Sequence, residues 1–157
     1  MATYPTSTFL RNFYGYHLLY AGRYAEGVRE LEANAKATPE EPNVWDSLGE
    51  SQLMVGQPEK AVEYYGRALT VDPRFWSAHS GHAWALAMLG RYADAIAESP
   101  PDLSLKAFLL SRVGRYAEAA TVIQSALQDA ENRQSWWGVG SLHLLAAVFA
   151  KIGRAHV

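Results

Sequence analysis

Gly22-Arg23-Tyr24-Ala25-Glu26, Gly90-Arg91-Tyr92-Ala93-Asp94 and Gly114-Arg115-Tyr116-Ala117-Glu118 are near-copies of one short text, with Gly56-Gln57-Pro58-Glu59 as its variant. The text describes a helix ending, a tight reversal and a second helix beginning. Glycine tolerates the left-handed backbone that closes a helix C-terminus, and an acidic residue soon after it sits well in the first turn of the next helix. Each Gly is therefore expected to hinge two antiparallel helices. Working outward, Gly22, Gly56 and Gly90 stand 34 residues apart, and so do Pro5, Pro39 and Pro73. A fixed period of this length is the mark of a repeat array. Upstream of the second hinge, Trp45, Leu48 and Val55 recur at helical spacing, with Gln52 as a polar exception; downstream, Ala61, Tyr64, Tyr65 and Ala68 do the same. Ala61 is small enough to let two helix backbones approach closely.

These hairpins resemble tetratricopeptide repeats. The second repeat carries that family's pattern nearly whole, in the order Trp45, Leu48, Gly49, Gly56, Ala61, Tyr65, Ala68 and Pro73, with Gln52 in place of the usual aromatic residue. The first is looser: Tyr14-Gly15 stand for the Leu-Gly pair and Gly27 for the small residue, followed by Leu31, Asn34 and Pro39. The third has His79, His82, Ala83, Leu86, Gly90 and Ala95, then breaks at Pro100-Pro101. From Gly90 to Gly114 is 24 residues, ten short of the period, and the prolines place the loss at the end of the third repeat's second helix. The fourth resumes with Leu103, Ala107, Leu110, Gly114, Ala119, Ile123 and Ala126.

The resemblance covers about residues 6–130 and implies an all-α fold, a right-handed superhelical solenoid of antiparallel helix hairpins. It would hold about four repeats (7–39, 41–73, a shortened 75–99 and 102–130) and one unpaired C-terminal helix, forming a single domain over 1–151. Nine helices are expected, at roughly 7–20, 24–36, 41–54, 58–71, 75–88, 92–98, 102–113, 116–130 and 135–151. The last is apolar around most of its circumference, through Trp137, Val139, Leu142, Leu144, Leu145, Val148 and Phe149, yet has no second helix to lie against. That face implies a missing partner, missing chain or self-association. One back-translation of Ile152-Gly153-Arg154-Ala155-His156-Val157, ATC GGA AGA GCA CAC GTC with TGA next, reads as a sequencing adapter running into a stop. Residues 152–157 are accordingly expected to be a non-native tail; the alternative is a fifth Gly-Arg hinge by descent.

Composition bounds the function. A chain of 157 residues, 49% apolar and 19% charged, can bury a core as one domain. Fourteen Lys and Arg against 16 Asp and Glu leave a net charge of −2 with both signs scattered, so there is no basic field to hold nucleic acid. Without cysteine there is no disulfide, thiolate metal site or Cys nucleophile. The first twenty residues lack the basic head, apolar stretch and cleavage site of a secretory signal, so a cytoplasmic setting is expected. The most apolar stretch, Trp136 to Ala150, is 15 residues long, short of the roughly 20 that span a membrane. No membrane role is expected.

His79 and His82 lie three apart on one helix, a spacing that can share a metal. Both occupy packing positions of the repeat and no third ligand is placed by sequence, so packing is the preferred reading and no metal is expected. His17 and His143 have no carboxylate or nucleophile placed beside them and read as structural or exposed. Gly138-Val139-Gly140 lacks the third glycine, the strand and the downstream acid of a dinucleotide motif. Glu40-Glu41, and Glu30 with Glu32, sit near helix ends or on solvated faces. With no catalytic set or phosphate loop, neither an active site nor a cofactor is expected.

The surface with functional promise is the concave one, which in the family is lined by the first helix of each hairpin. Counting each repeat from the residue three before its Trp45 equivalent, the ninth position reads Tyr16, Glu50, Trp84 and Phe108, and the fifth reads Asn12, Asp46, Ser80 and Ser104. A largely aromatic column flanked by polar groups suits a partner segment, because aromatic rings desolvate large area at small rotamer cost. The alternative for Trp84 and Phe108 is that they fill the junction made by the shortened third repeat. Some family members clamp a partner's C-terminal carboxylate with Lys, Asn and Arg. Here those positions hold Asn12, Tyr16, Ser47, Ser77 and Gly81, and Asp46 and Glu50 would repel such a ligand. The resemblance therefore implies a protein-interaction scaffold that holds a peptide segment or neighbouring domain. The alternative is a fragment of a larger bacterial signalling or regulatory protein, with a kinase, cyclase or activator domain outside this sequence.

Overall fold

A computed structural model describes residues 7–98 and 103–133, with the backbone alone from 126 onward. The Pro100-Pro101 break, the helix expected at 135–151 and the tail at 152–157 lie outside the described residues. Those residues form eight helices in sequence: α1 Thr8–Tyr20, α2 Tyr24–Ala37, α3 Pro42–Met54, α4 Pro58–Val71, α5 Trp76–Met88, α6 Tyr92–Ala97, α7 Leu103–Arg112 and α8 Tyr116–Arg133. No strand occurs among them, and the all-α expectation holds. Helices α3 and α5 begin one residue later than the periodicity places them, and α8 runs on to Arg133 rather than ending near 130. Pro42 and Pro58 open α3 and α4, where a missing N–H is no loss and the fixed φ already suits a helix. Helix α6 has six residues among those described.

The four hinges adopt the backbone that the repeated text requires. Gly22, Gly56, Gly90 and Gly114 have φ of 76°, 72°, 74° and 79°. At three of them the N–H three residues past the helix end reaches back five residues, Arg23 to Leu18, Gln57 to Gln52 and Arg115 to Leu110, at 2.8–2.9 Å. That bond caps carbonyls the helix leaves unpaired. The rest of the text is a local ion pair: Arg23 with Glu26, Arg91 with Asp94 and Arg115 with Glu118, at 2.6, 2.6 and 2.5 Å. These pairs are exposed and screened by solvent, so they add little; the glycine φ matters more. Replacing Gly56 by Ala meets no steric neighbour but forces a Cβ into the left-handed region. We expect a loss of about 1–2 kcal/mol in a urea titration, with Gly56→Asn losing less.

The described residues fall into two compact units divided between Leu89 and Gly90. In the first, α1 pairs with α2 and α3 with α4, and α5 packs on α4. Leu19, Leu31, Ala35, Val44 and Leu48 form one core cluster, and Ala61, Tyr65, Ala68, Ala78 and Ala85 another. A fully buried leucine such as Leu48 contributes about 1.5–3 kcal/mol. Polar tethers set the spacing of the helices: the Asn34 amide donates to the Thr8 carbonyl at 3.1 Å and the Trp45 indole to the Pro39 carbonyl at 2.8 Å. Gln52, where the family has an aromatic residue, is buried, its amide 3.5 Å from the Ser51 hydroxyl. In the second unit, Ala107 and Leu110 of α7 meet Ala119 and Ile123 of α8, with Ile96 of α6 packed against them.

Candidate partner-binding groove

Within the first unit, the first helices of successive repeats are α1, α3 and α5. A 34-residue period places equivalent residues of neighbouring helices side by side. The Tyr16 hydroxyl donates to Glu50 Oε2 at 2.6 Å, a bond between two ninth positions one period apart. Burial and that bond raise the Tyr16 phenol far above its ordinary range, so it remains a neutral donor. At the fifth position, Asp46 is only 8% exposed. Its Oδ2 accepts from the Ser77 hydroxyl of α5 at 3.0 Å, whereas Oδ1 is buried with no hydrogen-bond partner. Burial raises the Asp46 carboxyl to about 6, with the Glu50 charge adding and the Ser77 bond opposing. The Tyr65 phenol is raised by burial and by the charges of Asp46 and Glu50, so these side chains form one electrostatic neighbourhood.

Beside the Tyr16–Glu50 bond lies a cavity of about 480 Å³ lined by Asn12, Phe13, Tyr16, His17, Tyr20 and Glu50. Asn12 Oδ1 is buried there without a partner. The rings form a stripe along α1: Phe9 and Phe13 have centroids 4.6 Å apart, and Tyr16 and Tyr20 are stacked at 6.2 Å. Phe9, Phe13 and Tyr20 are 67%, 60% and 74% exposed. Such residues normally pack, and a contiguous exposed apolar stripe marks an interaction surface.

The structure thus brings Asn12, Tyr16, Asp46 and Glu50 into one neighbourhood. Ser80 and Trp84 are half-buried on α5. Ser104 and Phe108 belong to α7 in the second unit, where Ser104 is buried and Phe108 packs partly against the α7–α8 core. Reading by repeat position missed Phe13, His17 and Tyr20, which line the cavity, and the pairing of Ser77 with Asp46. Phe9, Phe13, Tyr16 and Tyr20 recur every three or four residues, a signal of one helix face. That this face stays uncovered is not a property of the spacing. His79 Nε2 lies 3.0 Å from the Pro73 carbonyl. Among the described residues, no three His, Asp or Glu side chains converge as metal ligands would, and no helix is long and apolar enough to cross a membrane.

Helical hairpins repeated every 34 residues, capped by left-handed glycines and joined through equivalent positions, define a helical-repeat scaffold. The family model described as tetratricopeptide repeat matches residues 47–99, which supports a tetratricopeptide assignment for the second and third repeats. It is 33% identical over 92 residues to Superkiller complex protein 3 of Mus musculus, a match covering 59% of this chain and 6% of that protein. Protein FlbA of Caulobacter vibrioides is 28% identical over 129 residues, 71% of this chain and 22% of FlbA. Both relatives are thus far longer than the part this chain spans. Among solved structures, a thermophilic tetratricopeptide protein of Thermus thermophilus, TTC0263, superposes with a TM-score of 0.75 at 20% identity, covering 94% of this chain and 82% of that one. A MamA double mutant gives 0.67 at 17% identity, covering 97% of both chains. At these identities the likeness is one of fold.

Proposed function

We propose that this chain is a non-catalytic scaffold that binds a peptide segment or a neighbouring domain along the face formed by α1, α3 and α5. The observation that carries this reading is the exposed aromatic stripe of α1 bordering a cavity that Glu50 also lines. Rings of this size, already held by a helix, lose little freedom when a partner covers them. The test is to pan the full chain against a display library of extended peptides and map the selected peptides by amide chemical shifts. Shifts concentrated on α1, α3 and α5 support the groove; shifts spread over α2 and α4 sink it. For a selected peptide, Trp84→Ala is expected to weaken binding by about 2 kcal/mol while leaving the helical signal intact. Unfolding instead would assign Trp84 to the core.

A second reading is favoured by the small share of the relatives that the chain matches, 6% and 22% of their lengths. It makes these repeats the regulatory segment of a longer protein whose kinase, cyclase or DNA-binding domain lies elsewhere. Sequencing the native locus upstream of Met1 and beyond Lys151 separates the two: a continuing frame supports the fragment, and a genuine start and stop support a stand-alone adaptor. Self-association through the segment 135–151 would appear as a concentration-dependent mass in light scattering.

A further inference from the structure

The cavity on α1 combines two features that point to one kind of ligand. Its walls are aromatic, through Phe13, Tyr16, Tyr20 and the His17 imidazole, and Glu50 is the one Asp, Glu, Lys or Arg side chain that lines it. Aromatic faces attract cations through the ring quadrupole, and a carboxylate beside them supplies a charge-assisted hydrogen bond. The surrounding charge agrees. Across α1, α3 and α5 the only carboxylates are Asp46 and Glu50, and the only Lys or Arg is Arg11, whose Nε lies 4.0 Å from Glu30 of α2.

Two buried acceptors add to the negative character of this neighbourhood. Asp46 is more than nine-tenths buried with Oδ1 unpartnered, and the Asn12 amide oxygen is buried without a donor. Asp46 lies close enough to Tyr16 and Glu50 for their charges to act on one another. This buried negative character favours a cation over an anionic segment at the cavity. The molecule already uses this chemistry elsewhere: Arg67 lies 5.1 Å from the Trp45 ring centroid and 5.6 Å from that of Tyr64, and Arg112 lies 4.9 Å from that of Tyr92.

We infer that the aromatic cavity bordered by Glu50 receives a positively charged side chain, arginine or lysine, of the partner segment. This assignment rests on the groove reading above and names the partner's chemistry. It makes Glu50 the charge-pairing residue and Tyr16 its positioning residue.

The experiment titrates the full chain with N-acetyl-arginine amide and N-acetyl-lysine amide, and with N-acetyl-citrulline amide as the neutral isostere of the first, following amide and aromatic chemical shifts. The expected result is saturable shifts at residues 12–20 and at Glu50, with citrulline at least about tenfold weaker than arginine. Glu50→Gln should remove the preference for arginine over citrulline, with an unchanged thermal midpoint showing that the variant folds. Equal shifts from arginine and citrulline, or saturation away from α1, would overturn the assignment. So would ring signals that move with protein concentration while no probe binds, the mark of a second copy covering the cavity. Groove-directed peptides of neutral or acidic consensus would overturn the cationic assignment and leave the scaffold reading standing. Arginine saturation at the cavity, with no peptide selected in the groove, would do the reverse.

Discussion

Replacing Gly81 by alanine is expected to lower the unfolding free energy by about 2–3 kcal/mol, although alanine is the better helix former by about 1 kcal/mol. Gly81 lies inside α5, and a Cβ added there would clash with the far edge of the Tyr65 ring and its hydroxyl. Tyr65 belongs to α4, is 3% exposed and is backed on its other contact by Gly49 of α3, whose added Cβ would come within 2.8–2.9 Å of three ring carbons. The ring is thus seated against two helix surfaces that lack a side chain, and α5 must shift away from the core cluster for alanine to enter. A domain stable by roughly 5–15 kcal/mol feels such a loss as a large drop in urea midpoint. Gly66→Ala in α4 is the control. Its added Cβ meets nothing within 4 Å, so the same substitution should stabilise by about 0.5–1 kcal/mol. If both variants were stabilised alike, Tyr65 would not sit against Gly81. In the Tyr65→Leu background the loss at Gly81 should shrink by about 1 kcal/mol or more, a coupling that assigns it to this contact.

The second large effect is a dependence on pH carried by Asp46. Its carboxyl rises from an ordinary 3.8 to about 6, because burial penalises the charged form. A raised carboxyl binds its proton more tightly in the folded state than in the unfolded one. The resulting stability is fully present below pH 3.8 and is lost as pH climbs through about 6. At 1.36 kcal/mol per pH unit, the loss across that window is about 3 kcal/mol. Asp46→Asn removes the titration while keeping an acceptor for Ser77. Urea midpoints between pH 4 and 7 should therefore converge at the acid end and diverge toward neutrality, with Asn the more stable by about 3 kcal/mol at pH 7. Glu26 and Glu118, held below their ordinary range first by the bonds to Arg23 and Arg115, slope the other way but do so in both proteins and cancel. Parallel curves for the two proteins would mean that Asp46 titrates normally. A variant of this kind also separates stability from recognition: it removes a buried negative charge near the cavity, so gained stability should accompany weaker binding of the arginine probe.

Much of the architecture was legible in the sequence because its causes are local. The left-handed φ at Gly22, Gly56, Gly90 and Gly114 and the three Arg-to-acid pairs each depend on residues within a few positions of one another. Helix α3 begins one residue late, at its starting proline, and the run of good helix formers carries α8 three residues further. The period carried one nonlocal contact as well. Aligning ninth positions placed Tyr16 opposite Glu50, and the hydrogen bond between them spans 34 residues.

The rest of the candidate site followed no such rule. Repeat position alone does not distinguish Asp46, buried, from Ser80, half-buried, or reveal that Ser104 lies under the surface of the second unit. Ser77 meets Asp46 from 31 residues away, three short of the period, so this contact does not join equivalent repeat positions. Gly81 lies outside the repeat pattern, yet it admits the Tyr65 ring as Gly49 does.

The sequence by itself determined the repeat, the hinges, the all-helical class and the alignment of equivalent residues, since these follow from backbone preferences and spacing along one chain. Only the tertiary structure decided which of the aligned side chains is dry, which ring is uncovered and which carboxylate lacks a donor. Burial and desolvation are set by what the neighbouring helices place at each point, and no single stretch of the chain contains that information.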